Sequence, residues 1–256
     1  MKICAIDSSG LTAAVAVTED DITIAEYSIT TGLTHSQTLL PLLDEVRTRI
    51  DLDPESIDAY AVAAGPGSFT GLRIGIATVK GLGIAVDRPV AAVPTLEALA
   101  YNLYGSSDIV CPIMDARRSQ VYTGIYEFDP GLKVIMGQTA EAFDDLCERL
   151  NEIGRPVVFT GDGIPVFAEQ MKEKLTCPYS IAPAHMSRQR AASLAALAAA
   201  YLKGEADGLE GCVTTADGLT PVYLRQSQAE RTKREAAEGG NAGELQSGDS
   251  TVEGGR

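Results

Sequence analysis

Short apolar runs broken by turn residues fill the first third of the chain. Residues 2–7 read as a strand ending in Asp7, followed by Ser8, Ser9 and Gly10. Strands at 13–18 and 22–29 come next, with Glu19, Asp20 and Asp21 as the turn of an antiparallel meander. The period then changes. Over 34–50, Leu39, Leu42, Leu43, Val46 and Ile50 share one helical face, and Thr34 and Gln37 stand at capping-box spacing. Pro41 inside that helix is expected to bend it or mark its first turn. A strand at 58–64, a helix at 70–86, a strand at 89–93 and a helix at 95–104 complete a β-β-β-α-β-α-β-α order.

After a joint at 105–108 a similar order starts again. Strands at 109–115, 120–128 and 133–138 precede a helix at 141–153, a strand at 157–160 and a helix at 166–175. Ser187 is expected to cap a last helix that reaches Lys203 and stops at Gly204. Two halves with one element order point to a duplicated α/β unit, each a mixed sheet covered by helices. The expected division is 1–105, 106–226 and 227–256, with the helix at 187–203 a candidate to pack back on the first unit. The segment 227–256 is rich in Gly and Glu and nearly lacks large apolar residues, so disorder is expected there.

Composition narrows the partners. The 256 residues carry 35 acids against 21 bases, a formal net charge of −14. Such a surface repels nucleic acid unless bases are concentrated locally, and a basic partner protein would suit it better. No secretory signal is visible, and the longest apolar stretch, 191–202, is too short to span a bilayer, so a cytoplasmic protein without membrane attachment is expected. The five cysteines are scattered with no Cys-x-x-Cys, which fits reduced thiols, with Cys4 and Cys111 as buried small hydrophobes.

The most distinctive stretch is the strand-to-helix turn of Gly65, Pro66, Gly67, Ser68, Phe69, Thr70, Gly71, Leu72, Arg73, Ile74 and Gly75. Such a turn admits an anion or a close neighbour at the helix start. Neither standard nucleotide fingerprint is present. The duplicated order is nonetheless the pattern of the actin-like, ribonuclease-H-like superfold (ASKHA), where nucleotide sits between the halves. The corresponding positions here are Asp7 and Ser9 in the first turn, Asp115 and Arg117 in the second, and Gly161 in Gly161-Asp162-Gly163. The first turn lacks the early glycine, and Arg117 and Arg118 stand where glycines would let backbone approach phosphate. Nucleotide is therefore expected weakly, at an interface, or not at all; the Gly161 turn reads equally as an ordinary loop. The two histidines, His35 and His185, form no metal-binding pair, and Ser68 lacks a nucleophile elbow. No catalytic residue or metal ligand is assigned.

What remains is helix surface. Gly71 and Gly75 are four apart, as are Ala77, Gly81 and Ala85. Glycine within a helix costs roughly 0.8–1 kcal/mol against alanine, so several in one helix need a compensating contact. Leu39, Leu42, Leu43, Val46, Gly71, Gly75, Thr78 and Gly81 are expected to form a two-helix docking patch; the alternative is packing against the chain's own sheet.

Taken together, Ile6-Asp7-Ser8-Ser9, His35-Ser36 with Leu39-Leu40-Pro41, the 65–75 glycine segment, 94–100, Asp115-Ala116-Arg117 and 221–225 closely resemble the TsaB family over 1–225. Gly65, Pro66, Gly67, Ser68, Thr70 and Arg73 are the signature loop. The resemblance implies a bacterial cytoplasmic protein needed for threonylcarbamoyladenosine beside the tRNA anticodon. It implies that the chain is not the transferase but binds and activates the paralogue TsaD through its first two helices. The ATPase TsaE joins the pair, the lone chain forms a homodimer, and tRNA is met only through the complex. The competing readings are a kinase-like phosphotransferase with Asp7 or Asp115 at the metal and, more weakly, a protease.

Overall fold

Eleven strands and six helices form among the residues that the computed structural model describes, 1–129, 131–205 and 212–225. The first half holds β1 (Lys2–Asp7), β2 (Thr12–Glu19), β3 (Ile22–Thr30), α1 (His35–Arg49), β4 (Ala59–Gly65), α2 (Phe69–Val86), β5 (Val90–Pro94) and α3 (Thr95–Tyr101). The second holds β6 (Ile109–Asp115), β7 (Gln120–Phe128), β8 (Leu132–Ala142), α4 (Phe143–Ile153), β9 (Val157–Thr160), α5 (Ile164–Lys174), β10 (Tyr179–Ile181), α6 (Ala191–Lys203) and β11 (Val213–Thr214).

The strands make a six-stranded sheet, β11-β5-β4-β1-β2-β3, and a five-stranded sheet, β10-β9-β6-β7-β8. In the first, β1 pairs antiparallel with β2 and parallel with β4; in the second, β6 pairs antiparallel with β7 and parallel with β9. The same core strand neighbourhood is built twice, which is the duplicated α/β architecture expected from the element order.

One face of the first sheet is covered by α1 and α2. Leu39, Val46, Ile76 and Val79 pack there with Cys4, Ile6, Val15, Val17 and Val62. The other face is covered by α6, whose Ala191, Leu194, Ala195 and Ala198 meet Ala5, Ala14, Ala16, Ala61 and Ala63. Alanine on both sides brings helix and sheet close, so methyl-sized residues fill the gap without voids. The helix from the second half of the sequence thus returns to the first sheet, and β11 adds to that sheet's edge. Met1–Leu224 form one compact unit.

Several boundaries differ from expectation. Glu141 and Ala142 pair with Val121 and Gln120, so β8 runs to Ala142 and α4 starts at Phe143. Ser187 closes a short turn onto the Ala184 carbonyl instead of capping α6. The α6 start is held from a distance, where the Glu26 carboxylate accepts the Ala192 N–H at 3.0 Å and pairs with Arg190. Among the described residues, α2 is the helix long and apolar enough by length and composition to cross a membrane, not 191–202; its Leu72 is buried, and its Ile76 and Val79 pack in the sheet core. The tail expected at 227–256 lies outside the described residues.

Candidate functional site

The strand ends where a nucleotide was sought are occupied by the chain itself. Asp7, at the end of β1, is 1% exposed, and its Oδ1 accepts both the Ser9 N–H (2.9 Å) and the Ser9 hydroxyl (2.6 Å). Burial pushes the Asp7 carboxyl up from its ordinary value, and the two Ser9 donors and the nearby His35 pull it back. His35 Nε2 lies 2.8 Å from the Gly10 carbonyl, a contact that requires the proton on that nitrogen. Above Gly10 lies Gln189, 2% exposed, so close that a side chain on Gly10 would run into its amide. The Gln189 amide nitrogen faces the Met114 sulfur at 3.8 Å.

The second turn is closed on itself. Asp115 Oδ1 accepts the Arg117 N–H at 2.7 Å, and its other oxygen pairs with the Arg117 guanidinium at 3.0 Å. Arg117, Arg118 and Ser119 all hold positive φ, near 65°, 55° and 55°, a left-handed run uncommon for residues other than glycine. Gly161 has φ +111, and a side chain there would strike the Ile113 carbonyl; its own carbonyl accepts from Arg188 at 3.1 Å. Its glycine is required by strand proximity. Asp162 beside it is raised by burial and lowered by Arg188. Asp7, Ser9, Asp115, Arg117 and Gly161 therefore each have an internal partner. Among the described residues no group of three or more His, Cys, Asp or Glu is gathered for a metal. A cavity of about 250 Å³, lined by residues including Ala64, Ala92, Gln138, Cys212 and Val222, includes none of these positions.

The start of the signature loop is likewise packed inward, while Ser68 is exposed. The Ser68 N–H donates to the Ser9 carbonyl at 2.7 Å, the Ser68 hydroxyl caps α2 through the Gly71 N–H at 3.3 Å, and Gly67 lies against Ser9. Gly65 donates to the Thr95 hydroxyl and accepts from Gln138, each at 3.1 Å, and the segment at Val222 crosses over it. Pro66 is buried beside them, while Thr70 and Arg73 are exposed.

The predicted docking patch divides in two. Leu39 and Val46 are fully buried in the sheet core, and Gly71 and Gly75 press against Ser8. For these four, packing against the chain's own sheet is the correct alternative, because they lie on the helix faces turned to β1 and β2. Leu42, Leu43 and Thr78 are half-buried, the leucines against the same core and the Thr78 hydroxyl on the Ile74 carbonyl. Gly81 differs: it is exposed, and a side chain there would meet nothing within 4 Å. It lies on an outward α2 face with Thr70, Arg73, Ala77 and Ile84, all exposed, with Ile84 at 59%. On α1 the large apolar residue that faces outward is Leu40, 58% exposed. The sequence reading missed Ile84, although 70, 73, 77, 81 and 84 have the 3-4-4-3 spacing of one helical face.

The comparisons with known proteins fit this geometry. The model of the family "TsaD: tRNA N6-adenosine threonylcarbamoyltransferase" matches residues 30–233. The chain is similar to the "tRNA threonylcarbamoyladenosine biosynthesis protein TsaB" of Bacillus subtilis, 36% identical over 232 residues, covering 90% of this chain and 96% of that protein. The protein of the same name in Escherichia coli is 30% identical over 179 residues, covering 68% of this chain and 76% of its own length. The solved structure of YeaZ from Pseudomonas aeruginosa superposes with a TM-score of 0.72 at 26% identity, over 87% of this chain and 99% of that one.

Proposed function

The chain belongs to the TsaB family, and we propose that it is a non-catalytic subunit in the making of threonylcarbamoyladenosine in tRNA, one that docks onto a TsaD-type transferase and activates it. The observation that carries this reading is Gly81, a glycine on the exposed face of α2 where a side chain would meet nothing within 4 Å. Such a residue costs about 1 kcal/mol against alanine, and a close-packed partner helix on that side would offset it. Leu40 and Ile84 would add about 1.5–3 kcal/mol each when fully covered. The turns closed by their own side chains favour a subunit that works by docking over a kinase-like enzyme.

In this reading the transferase supplies the chemistry, a TsaE-type ATPase joins the pair, and tRNA is reached through the complex. Without the transferase, the same face would pair with a second copy of the chain. The setting is the bacterial cytoplasm. The test is a reconstituted modification assay with the transferase, the enzyme that makes its adenylate and the TsaE-type ATPase. Omitting this chain should abolish product; undiminished product without it would refute the proposal.

A further inference from the structure

We propose that Arg73 is a preformed receptor for a carboxylate of the partner protein, placed at the end of the docking face where α2 begins. The inference rests on the docking reading above and names the chemistry one end of that face would recognise.

Two aromatic residues hold Arg73, Phe69 one turn earlier in α2 and Tyr223 from 150 residues further along the chain. Its guanidinium carbon sits 3.9 Å from the centre of the Phe69 ring. Phe69 stacks on Tyr223 with centroids 4.6 Å apart and planes 25° apart. The Arg73 Nε–H donates to the Tyr223 hydroxyl at 3.0 Å. An exposed arginine normally samples many rotamers and loses that freedom on binding; stacking and one directed bond remove the cost beforehand. The bond uses Nε, so among the described residues both terminal amino groups remain for a carboxylate that accepts in parallel from two N–H groups.

Arg47, Arg49, Arg117, Arg149, Arg155 and Arg190 each form an ion pair with a carboxylate of the chain. Arg88 and Arg188 bond backbone carbonyls, and Arg73 is held by aromatic rings. With 35 acids present, an intramolecular partner would be easy to provide, yet among the described residues Arg73 rests on two rings instead. Its position continues the outward row of Ala77, Gly81 and Ile84. A partner covering that row would also cover Arg73, and excluding water there strengthens a charge-assisted pair. Phosphate has similar acceptor chemistry, but a net charge of −14 disfavours a polyanion at this surface, and the adjoining apolar row calls for protein. Tyr223 acts as a positioning residue, aiming the guanidinium without touching the partner's carboxylate.

The test measures the affinity of the full chain for the TsaD-type transferase by calorimetry, beside thermal unfolding of each variant. Arg73→Gln should weaken binding by about tenfold or more with its unfolding temperature unchanged. Arg73→Lys should recover only part of the loss, because an ammonium cannot make the paired contact. Tyr223→Phe keeps the stack, loses the directed bond and should weaken binding less. Wild-type affinity in Arg73→Gln, or a loss explained by a lower unfolding temperature, would overturn the inference and leave Arg73 as a fastener of the 223 segment. So would a loss confined to tRNA binding. Gly81→Leu separates the two claims. If it abolishes binding while Arg73→Gln does not, only the Arg73 inference falls; if it too binds like wild type, the docking reading fails.

Discussion

Ser8 and Gly75 meet with no room between them: the Ser8 hydroxyl occupies the space where a side chain on Gly75 would begin, and it donates to the Gly71 carbonyl at 2.9 Å. Two of the α2 glycines therefore exist for the chain's own first turn. Gly75→Ala should cost about 1–3 kcal/mol through overpacking, whereas Gly81→Ala should gain about 0.8–1 kcal/mol from helix propensity alone. Urea unfolding midpoints check this; shifts of the same sign would contradict it.

Asp7 is expected to act as an internal turn acceptor. Asp7→Ala leaves the Ser9 N–H buried without its acceptor and should lower stability by about 1–3 kcal/mol. At a temperature where the variant remains folded, its support of the transferase should match wild type. Loss of support with folding intact would give Asp7 a role in chemistry.

Gln189 over Gly10 implies that the isolated chain has no place for a triphosphate at the first turn. A ligand present at 100 times its dissociation constant stabilises its protein by about 2.7 kcal/mol, so thermal unfolding with added Mg-ATP is a sensitive check. No change in unfolding temperature is expected. A clear, saturable rise would favour the kinase-like reading.

Glu97 of α3 ties α6 to the rest of the chain. It is 7% exposed, and its Oε2 accepts the Tyr201 hydroxyl at 2.7 Å. Burial raises the Glu97 carboxyl above its ordinary 4.5, with the Tyr201 bond opposing. A raised folded value means that both states hold the proton at low pH. As pH climbs past 4.5 the unfolded chain ionises first and stability falls, levelling off above the folded value. Glu97→Gln keeps an acceptor for Tyr201 and cannot ionise. Its stability relative to wild type should therefore rise with pH, by about 1.4 kcal/mol for each unit of upward shift. A difference independent of pH would show that Glu97 titrates as if exposed.

Most of the strand and helix order was readable because the strands are short apolar runs bounded by turn residues, and α1 carries a period of 3.6. β10 and β11, three and two residues long, are too short to show such a run. The start of α6 was misread because its stabilising acceptor, Glu26, lies 166 residues away from Ala192. At the site, the spacing of small residues in α2 was visible, but spacing alone does not say which face meets the sheet. Gly75 and Gly81 are about 120° apart around a helix, enough to send one to Ser8 and the other to solvent. The absence of a glycine cradle at Arg117 was legible; the cover that Gln189 places over Gly10 was not, because the two residues meet only in the folded chain.

The central claim is that the outward face of α1 and α2 holds a TsaD-type transferase. Titrating that transferase with Leu40→Asp and Ile84→Asp tests it most directly, since both side chains are exposed and their replacement leaves the core intact. Affinity should fall by at least about tenfold for each, the effect of losing roughly 1.4 kcal/mol, with unfolding temperatures unchanged. Wild-type affinity in both variants would place the contact elsewhere and contradict the account.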